Sequence, residues 1–275
     1  MPDVLLHPVT KRQLEAIGND LPQSLLLTGN YGVGLYTIAA SMVGKELTAT
    51  IRPKNAKDEI SPKAGTISVE TIRQLYEQTR TKHTAKRVII IDDAERMSRG
   101  AQAAFLKLLE EPNASTYFIL TSHEPNTMLA TIHSRVQHIV IQPLTTTQTD
   151  EFITSQNVAD AKKKIQLQFI APGLPAELVR LLSDTNYFED KAKVIGDART
   201  FLQADQYQKL RIINSYRSNR EEALLMLDGA MTIVKHTLVS KPQQSLIVQL
   251  KQLLEAKERI VANQSIVLQL ARIVL

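Results

Sequence analysis

Residues 28–36 read T-G-N-Y-G-V-G-L-Y, and the fold turns on what this stretch is. Gly29 and Gly34 carry the Gly-x4-Gly spacing of a loop that cradles phosphate with backbone N–H groups at the start of a helix. That template continues with a Lys that reaches the β- and γ-phosphates and a Ser or Thr whose hydroxyl meets Mg²⁺. Here the two positions are Leu35 and Tyr36. The context is nonetheless right, since 25–27 is an apolar strand entering the turn and a helical pattern leaves it at Thr37. Gly29, Gly32 and Gly34 let N–H groups converge on an anion. The same glycines serve a plain strand-to-helix turn, so both readings stand on the loop alone.

A second stretch bears on the choice. R-V-I-I-I-D-D-A-E at 87–95 is an apolar strand that ends in acidic residues. In phosphate-loop ATPases a strand of this kind lies beside the loop, its first carboxylate serving Mg²⁺ and the next, usually Glu, orienting the attacking water. Asp92 and Asp93 stand at those positions, the second one methylene shorter than Glu. Acidic residues there could instead cap the following helix.

Around these two stretches, short apolar runs at 24–28, 88–91, 117–121 and 136–141 alternate with helical patterns at 37–47, 69–79 and 99–109. The first three runs are apolar enough to be buried on both faces, as in a parallel sheet covered by helices. In the 99–109 pattern Ala101, Ala104, Phe105, Leu108 and Leu109 share one stripe, and Pro112 follows the end. The alternation predicts an α/β fold with right-handed crossovers. Residues 51–66 are polar, with two Pro and one Gly, and read as a connector. Beyond 144 the strand signal stops. The expected division is an α/β core over 1–144, a small helical unit over 145–190 and a C-terminal helical unit over 191–275.

The chain resembles the AAA+ clamp-loader family, most of all its delta-prime branch from the bacterial replicative polymerase. The resemblance rests on V-I-I-I-D-D-A-E-R at 88–96, Leu108-Leu109-Glu110-Glu111-Pro112, the strand ending Thr121-Ser122, and Ser134-Arg135-Val136, for which the family has Ser-Arg-Cys. It extends to 65–75, to Gly173-Leu174-Pro175 and to 254–275 with its Asn263. It implies an AAA+ core with a degenerate phosphate loop, a helical lid and a C-terminal collar. Delta-prime members generally have a degenerate site of their own while a neighbour's site needs them. By that analogy Ser134-Arg135 supplies an arginine finger in trans, with ATP and Mg²⁺ bound at the neighbouring subunit and no cofactor in this chain. Thr121 and Ser122 match the strand position that senses γ-phosphate in active members. The lid arginine of active members should fall near Ala176 or Glu177, and neither is a cation. The implied partners are an ATPase subunit, a delta-type subunit, a sliding clamp and primer-template DNA, within a DNA polymerase holoenzyme.

The departures point one way. Leu35 puts an apolar side chain where phosphate charge gathers, which costs desolvation without compensation. Tyr36 removes the small hydroxyl, and Lys45 is too distant to substitute. Many relatives carry a four-cysteine zinc module after the first helix; with zero Cys this chain has none, and 51–66 stands in that place. The expectation is no hydrolysis by this chain. An active AAA+ ATPase with an atypical loop, acting on DNA, is the alternative, and a free-standing DNA-binding protein is a third reading.

Composition narrows these classes. Hydrophobic residues make up 43% and charged residues 22%, which describes an ordinary soluble protein. Zero Cys excludes disulfides and thiolate metal sites and fits a reducing cytosol. The six His, at 7, 83, 123, 133, 138 and 236, have no pair at helical ligand spacing, so no metal site is expected. The N-terminus lacks a signal-peptide pattern, and the apolar runs are too short to cross a bilayer, so the expected location is cytoplasmic with no membrane. Net charge is +5, near +2 over 1–145 and +3 over 146–275, too dispersed to mark a DNA surface. Residues 246–275 carry apolar side chains on more than one stripe, which favours association.

Overall fold

The computed structural model describes residues 4–17, 20–61, 65–80 and 85–274. His83 and residues 62–64 of the connector lie outside them. The chain divides into two compact units, Met1–Val179 and Arg180–Leu275. The stretch expected as a separate helical unit over 145–190 is thus shared between the two.

In the first unit the apolar runs become strands: β1 (Ser24–Thr28), β3 (Arg87–Ile91), β4 (Thr116–Ser122) and β5 (Gln137–Val140). A further strand, β2 (Leu47–Ile51), completes a parallel sheet of order β2-β3-β4-β1-β5. Strand side chains alternate between faces, so each strand splits its apolar residues between two cores. Leu26, Ile89, Ile91, Phe118 and Leu120 face one core. Leu25, Leu27, Val88, Ile90 and Ile119 face the other. This explains why the runs are apolar without interruption.

Helices cover both faces. α1 (Pro8–Ile17) and α2 (Leu35–Val43) bury Leu14, Ile38 and Ala39 in one core. α3 (Val69–Arg80), α4 (Arg99–Glu110) and α5 (Ala130–His133) bury Ile72, Leu75, Phe105 and Ile132 in the other. Ser98 caps α4 by accepting from Ala101 N. The Phe105 and Phe118 rings meet edge to face at 5.3 Å.

Two boundaries differ from expectation. The helix expected over 37–47 ends at Val43, because Gly44 (φ 52°) takes a backbone conformation that breaks it. The residues after it, read as helix end and connector, form the edge strand β2. Only one neighbour covers an edge strand, so its side chains are mostly half-buried and the apolar signal is weak. The remaining connector folds back through antiparallel bridges from Lys54 to Ile60 and Thr66.

α6 (Thr146–Ser155) and α7 (Ala161–Ile170) close the first unit, and α8 (Pro175–Ser183) carries the chain into the second. The second unit is helical: α9 (Thr185–Gln203), α10 (Gln206–Ser215), α11 (Arg220–Ser240), α12 (Gln244–Val261) and α13 (Ile266–Val274). Asp184, Asp205 and Asn219 cap α9, α10 and α11 with their side chains. Among the described residues α11 is long and apolar enough to cross a bilayer by length and composition. Its Met226, Leu227 and Ala230 are instead buried in the core of this unit.

The turn between α12 and α13 is tied to the start of α11. Arg220 Nη1 donates to Ile260 O at 2.8 Å and to Asn263 Oδ1 at 2.6 Å, and Nη2 to Gln264 O at 3.3 Å. Asn263 itself adopts a left-handed conformation (φ 65°) that Asn tolerates well. Arg220→Ala is expected to destabilise this unit by about 1 kcal/mol, read from urea denaturation, because a part-buried carbonyl loses its charged donor.

Candidate functional site

Local backbone chemistry builds the loop first. Gly32 (φ 88°) and Gly34 (φ 86°) hold left-handed conformations that suit residues without a Cβ. Gly34 is the N-cap of α2, so the helix starts directly on Leu35. Leu35 is only 2% exposed and packs into the core beneath the sheet. The position that the template gives to a phosphate-binding cation is therefore part of the apolar interior. The Gly32 carbonyl accepts from Ala176 N at 2.9 Å and Glu177 N at 3.2 Å. The start of α8 thus sits on the loop, at the two residues expected to face it, and brings a carboxylate instead of a cation.

The acidic end of β3 lies one strand away from the loop, because β4 pairs with β1 on one side and with β3 on the other. Both Asp92 oxygens have a protein donor. Thr121 Oγ1 donates to its Oδ1 at 2.8 Å, and Arg52 Nε donates to its Oδ2 at 3.2 Å. Thr121 also accepts from Asp93 N at 3.1 Å, so at the sensor position it binds the acidic corner. The Arg52 guanidinium stacks 4.1 Å from the Tyr36 ring centroid. Arg52 thus links the Tyr36 ring to the Asp92 carboxylate.

The Asp93 side chain does not cap the following turn; only its backbone carbonyl accepts, from Arg96 N at 2.8 Å, and the residue is held left-handed at φ 53°. Burial, then Asp92 and Glu95, push its carboxyl up from 3.8 to about 6, against the opposite pull of His123 and Arg96. Glu95 Oε1 accepts from His123 N at 3.0 Å, and His123 Nδ1 donates to Gly29 O at 2.8 Å. Tyr31 stacks on the His123 ring at 4.1 Å. Ser122 is buried, and its hydroxyl and Glu95 Oε2 have no hydrogen-bond partner among the described residues. A cavity of about 590 Å³ adjoins the loop, lined by Val4, Val33, Gly34, Phe152 and Val179, with Glu151 as its charged wall residue.

Arg135 stands apart from this cluster. It follows α5, and its Nη1 donates to Thr131 O at 3.0 Å and to Ser134 Oγ at 3.1 Å. Its Nη2 pairs with Glu110 Oε1 at 2.8 Å, with side-chain exposures of 35% and 50%. The guanidinium is at the surface, held by one half-exposed carboxylate from the end of α4.

The sequence reading found Gly29, Gly32, Gly34, Asp92 and Thr121, and the structure brings them together. It missed Arg52, His123 and Glu95 as members of the corner and Glu110 as the partner of Arg135. Arg52 was read as part of a connector, and only the β2 strand places it. No group of three or more His, Asp or Glu that could hold a metal ion occurs among the described residues.

A five-stranded parallel sheet flanked by helices, with a glycine loop ahead of α2 and an acidic strand end beside it, defines an α/β fold of the AAA+ type. Residues 8–145 match the profile of the family described as DNA polymerase III, delta subunit, and the chain belongs to that family. The delta-prime subunit of DNA polymerase III from Bacillus subtilis is 29% identical over 209 residues, covering 66% of this chain and 62% of that protein. The Haemophilus influenzae delta-prime subunit is 38% identical over 82 residues, 29% of this chain and 25% of that protein. The alignments thus span 62% of the first relative's length and a quarter of the second's. A gamma subunit-related protein from Thermotoga maritima shares the fold, with a TM-score of 0.56, 16% identity and coverage of 96% of this chain and 97% of that one.

Proposed function

We propose that this chain is a non-hydrolysing subunit of a DNA polymerase clamp loader, which serves a neighbour's ATP site with Arg135 and leaves its own loop without nucleotide chemistry. The observation that carries the reading is the contrast between two positions. Arg135 keeps a guanidinium at the surface, while Leu35 lies buried where a loop cation would act. Guanidinium suits the outward role because it stays charged and offers a planar fork of donors to phosphate oxygens.

The residues at the loop do not fit a Mg²⁺–triphosphate. Leu35 supplies no charge, Tyr36 presents a ring covered by Arg52, and both Asp92 oxygens already accept from protein donors. The nearest part of α8 adds Glu177, whose charge repels phosphate. The alternative of an active ATPase with an atypical loop lacks a cation at the position where the phosphates would need it.

Assembly has its own support. α12 buries Leu253, Ala256 and Ile260 on one stripe and leaves Ile247, Leu254 and Val261 exposed on another at seven-residue spacing. Leu268 of α13 is also exposed. Apolar stripes of this kind fit a collar formed with other subunits. On this reading the partners are an ATPase subunit and a delta-type subunit, with the sliding clamp and primer-template DNA reached through the cytoplasmic assembly.

The isolated chain supplied with Mg·ATP is expected to show no steady turnover in a phosphate-release assay. A rate of about 1 s⁻¹, an ordinary value for an enzyme, that disappears in Asp92→Asn would overturn the reading.

A further inference from the structure

The retired-site reading explains what the loop lacks; Arg52 is what lies beside it instead. In a phosphate-loop ATPase, Mg²⁺ is served by the hydroxyl residue after the loop Lys and by the first carboxylate at the acidic strand end. Those positions here are Tyr36 and Asp92. The Arg52 guanidinium lies against both: 4.1 Å from the Tyr36 ring centroid and, through Nε, 3.2 Å from Asp92 Oδ2.

We propose that Arg52 is a built-in cation that takes the divalent ion's place between the loop and the acidic strand end, so that the site is closed by a residue gained as well as by two residues lost. This inference rests on the reading of the site as retired.

Four observations converge on it. First, the parallel pairing of β2 with β3 places Ile51 opposite Ile91, so residue 52 emerges beside residue 92 at the same edge of the sheet. A hydrogen bond from Asp92 N to Ile51 O, 2.9 Å, fixes that relation in the backbone. Second, the substitution of hydroxyl by Tyr at position 36 is matched to a guanidinium. An aromatic face attracts Arg, whereas it offers a small hard cation no oxygen ligand. Third, both Asp92 oxygens already have a protein donor, Thr121 on Oδ1 and Arg52 on Oδ2, and the donor on Oδ2 is a cation. Mg²⁺ demands oxygen ligands at about 2.0–2.1 Å in near-octahedral array, which a guanidinium in the same space prevents. Fourth, the corner holds Asp92, Asp93 and Glu95 with no other cation as close to Asp92 among the described ion pairs. A fixed guanidinium supplies there the positive charge that the active type of site borrows from its metal.

The consequence is specific. Restoring the template by Leu35→Lys and Tyr36→Thr should not restore Mg·ATP binding, because Arg52 still occupies the metal's place. Removing Arg52 as well should do so. The test is titration of ATP, by calorimetry, against the wild-type chain, the double variant and the triple variant with Arg52→Ala, each in Mg²⁺ and in EDTA. Thermal melts establish that each is folded. The triple variant is expected to bind ATP at least tenfold more tightly in Mg²⁺ than in EDTA, and the wild type and double variant to show no such dependence. A double variant as Mg²⁺-dependent as the triple overturns the role of Arg52, and so does a folded triple variant with no dependence. Mg·ATP binding by the wild type sinks the retired-site reading instead.

The single variant Arg52→Ala gives an independent measurement, should the triple variant fail to fold. Titrated with Mn²⁺ alone and followed by electron paramagnetic resonance, it is expected to bind an ion that wild type does not, and to lose it with Asp92→Asn. Absence of that ion, or its persistence without Asp92, overturns the proposal.

Discussion

Arg135→Ala is expected to lower the ATP turnover of a reconstituted loader assembly by at least two orders of magnitude at the site this subunit adjoins, while assembly persists. An arginine finger is worth on the order of 10³–10⁵ in rate, or about 4–7 kcal/mol of transition-state stabilisation. Its hold on Glu110 is weak by comparison. An ion pair with 35% and 50% exposed side chains is worth about 1 kcal/mol at most. On the proposed reading a neighbour's phosphates would win the guanidinium with little opposition, and the substitution should leave the fold nearly as stable as before. Arg135→Lys should recover only a small part of the rate, because an ammonium lacks the planar fork. Steady-state phosphate release from the purified assembly reads the effect, and size-exclusion chromatography reads assembly. Wild-type turnover in an intact complex carrying Arg135→Ala would remove the finger.

Asp93→Asn is expected to stabilise the chain by about 2 kcal/mol near pH 8 and to flatten its stability between pH 4 and pH 7. The sign follows from protons bound. Asp93 has a folded value of about 6 against an ordinary 3.8. The folded chain thus binds more protons than the unfolded chain between those values, and stability falls as pH rises through the window. Two units amount to nearly 3 kcal/mol, and the 17% exposure of the side chain reduces this somewhat. Asn keeps the size and tolerates the left-handed backbone at φ 53°. Urea denaturation at pH 5 and pH 8 separates the cases. Equal pH dependence in wild type and variant would show that Asp93 does not carry the shift.

This cost has a physical origin in burial and in the crowding of like charges. Asp92, Asp93 and Glu95 follow one another closely at the end of β3, so their charges repel. Arg52 neutralises Asp92, and Asp93 is left to meet the repulsion of Asp92 and Glu95.

Much of the fold was legible in the residues. The runs that became β1, β3 and β4 are apolar without alternation, and a strand covered on both faces requires that. The helix at 99–109 carried its own stripe and a proline after its end. The edge strand β2 was not legible, because Leu47-Thr48-Ala49-Thr50-Ile51 is only partly covered and follows directly on a helical pattern. At the site, spacing raised the loop and an apolar run raised the acidic strand end without settling either, and the family resemblance pointed to Arg135.

The amino-acid order by itself determined which side chains are missing from the loop, since Leu35 and Tyr36 can be read at fixed offsets from Gly34. What stands in their place was decided by tertiary structure. Arg52 and Asp92 are forty positions apart, and only the in-register pairing of two parallel strands makes them neighbours. Such pairing is a property of backbone hydrogen bonds between distant segments, and no local pattern around residue 52 records it.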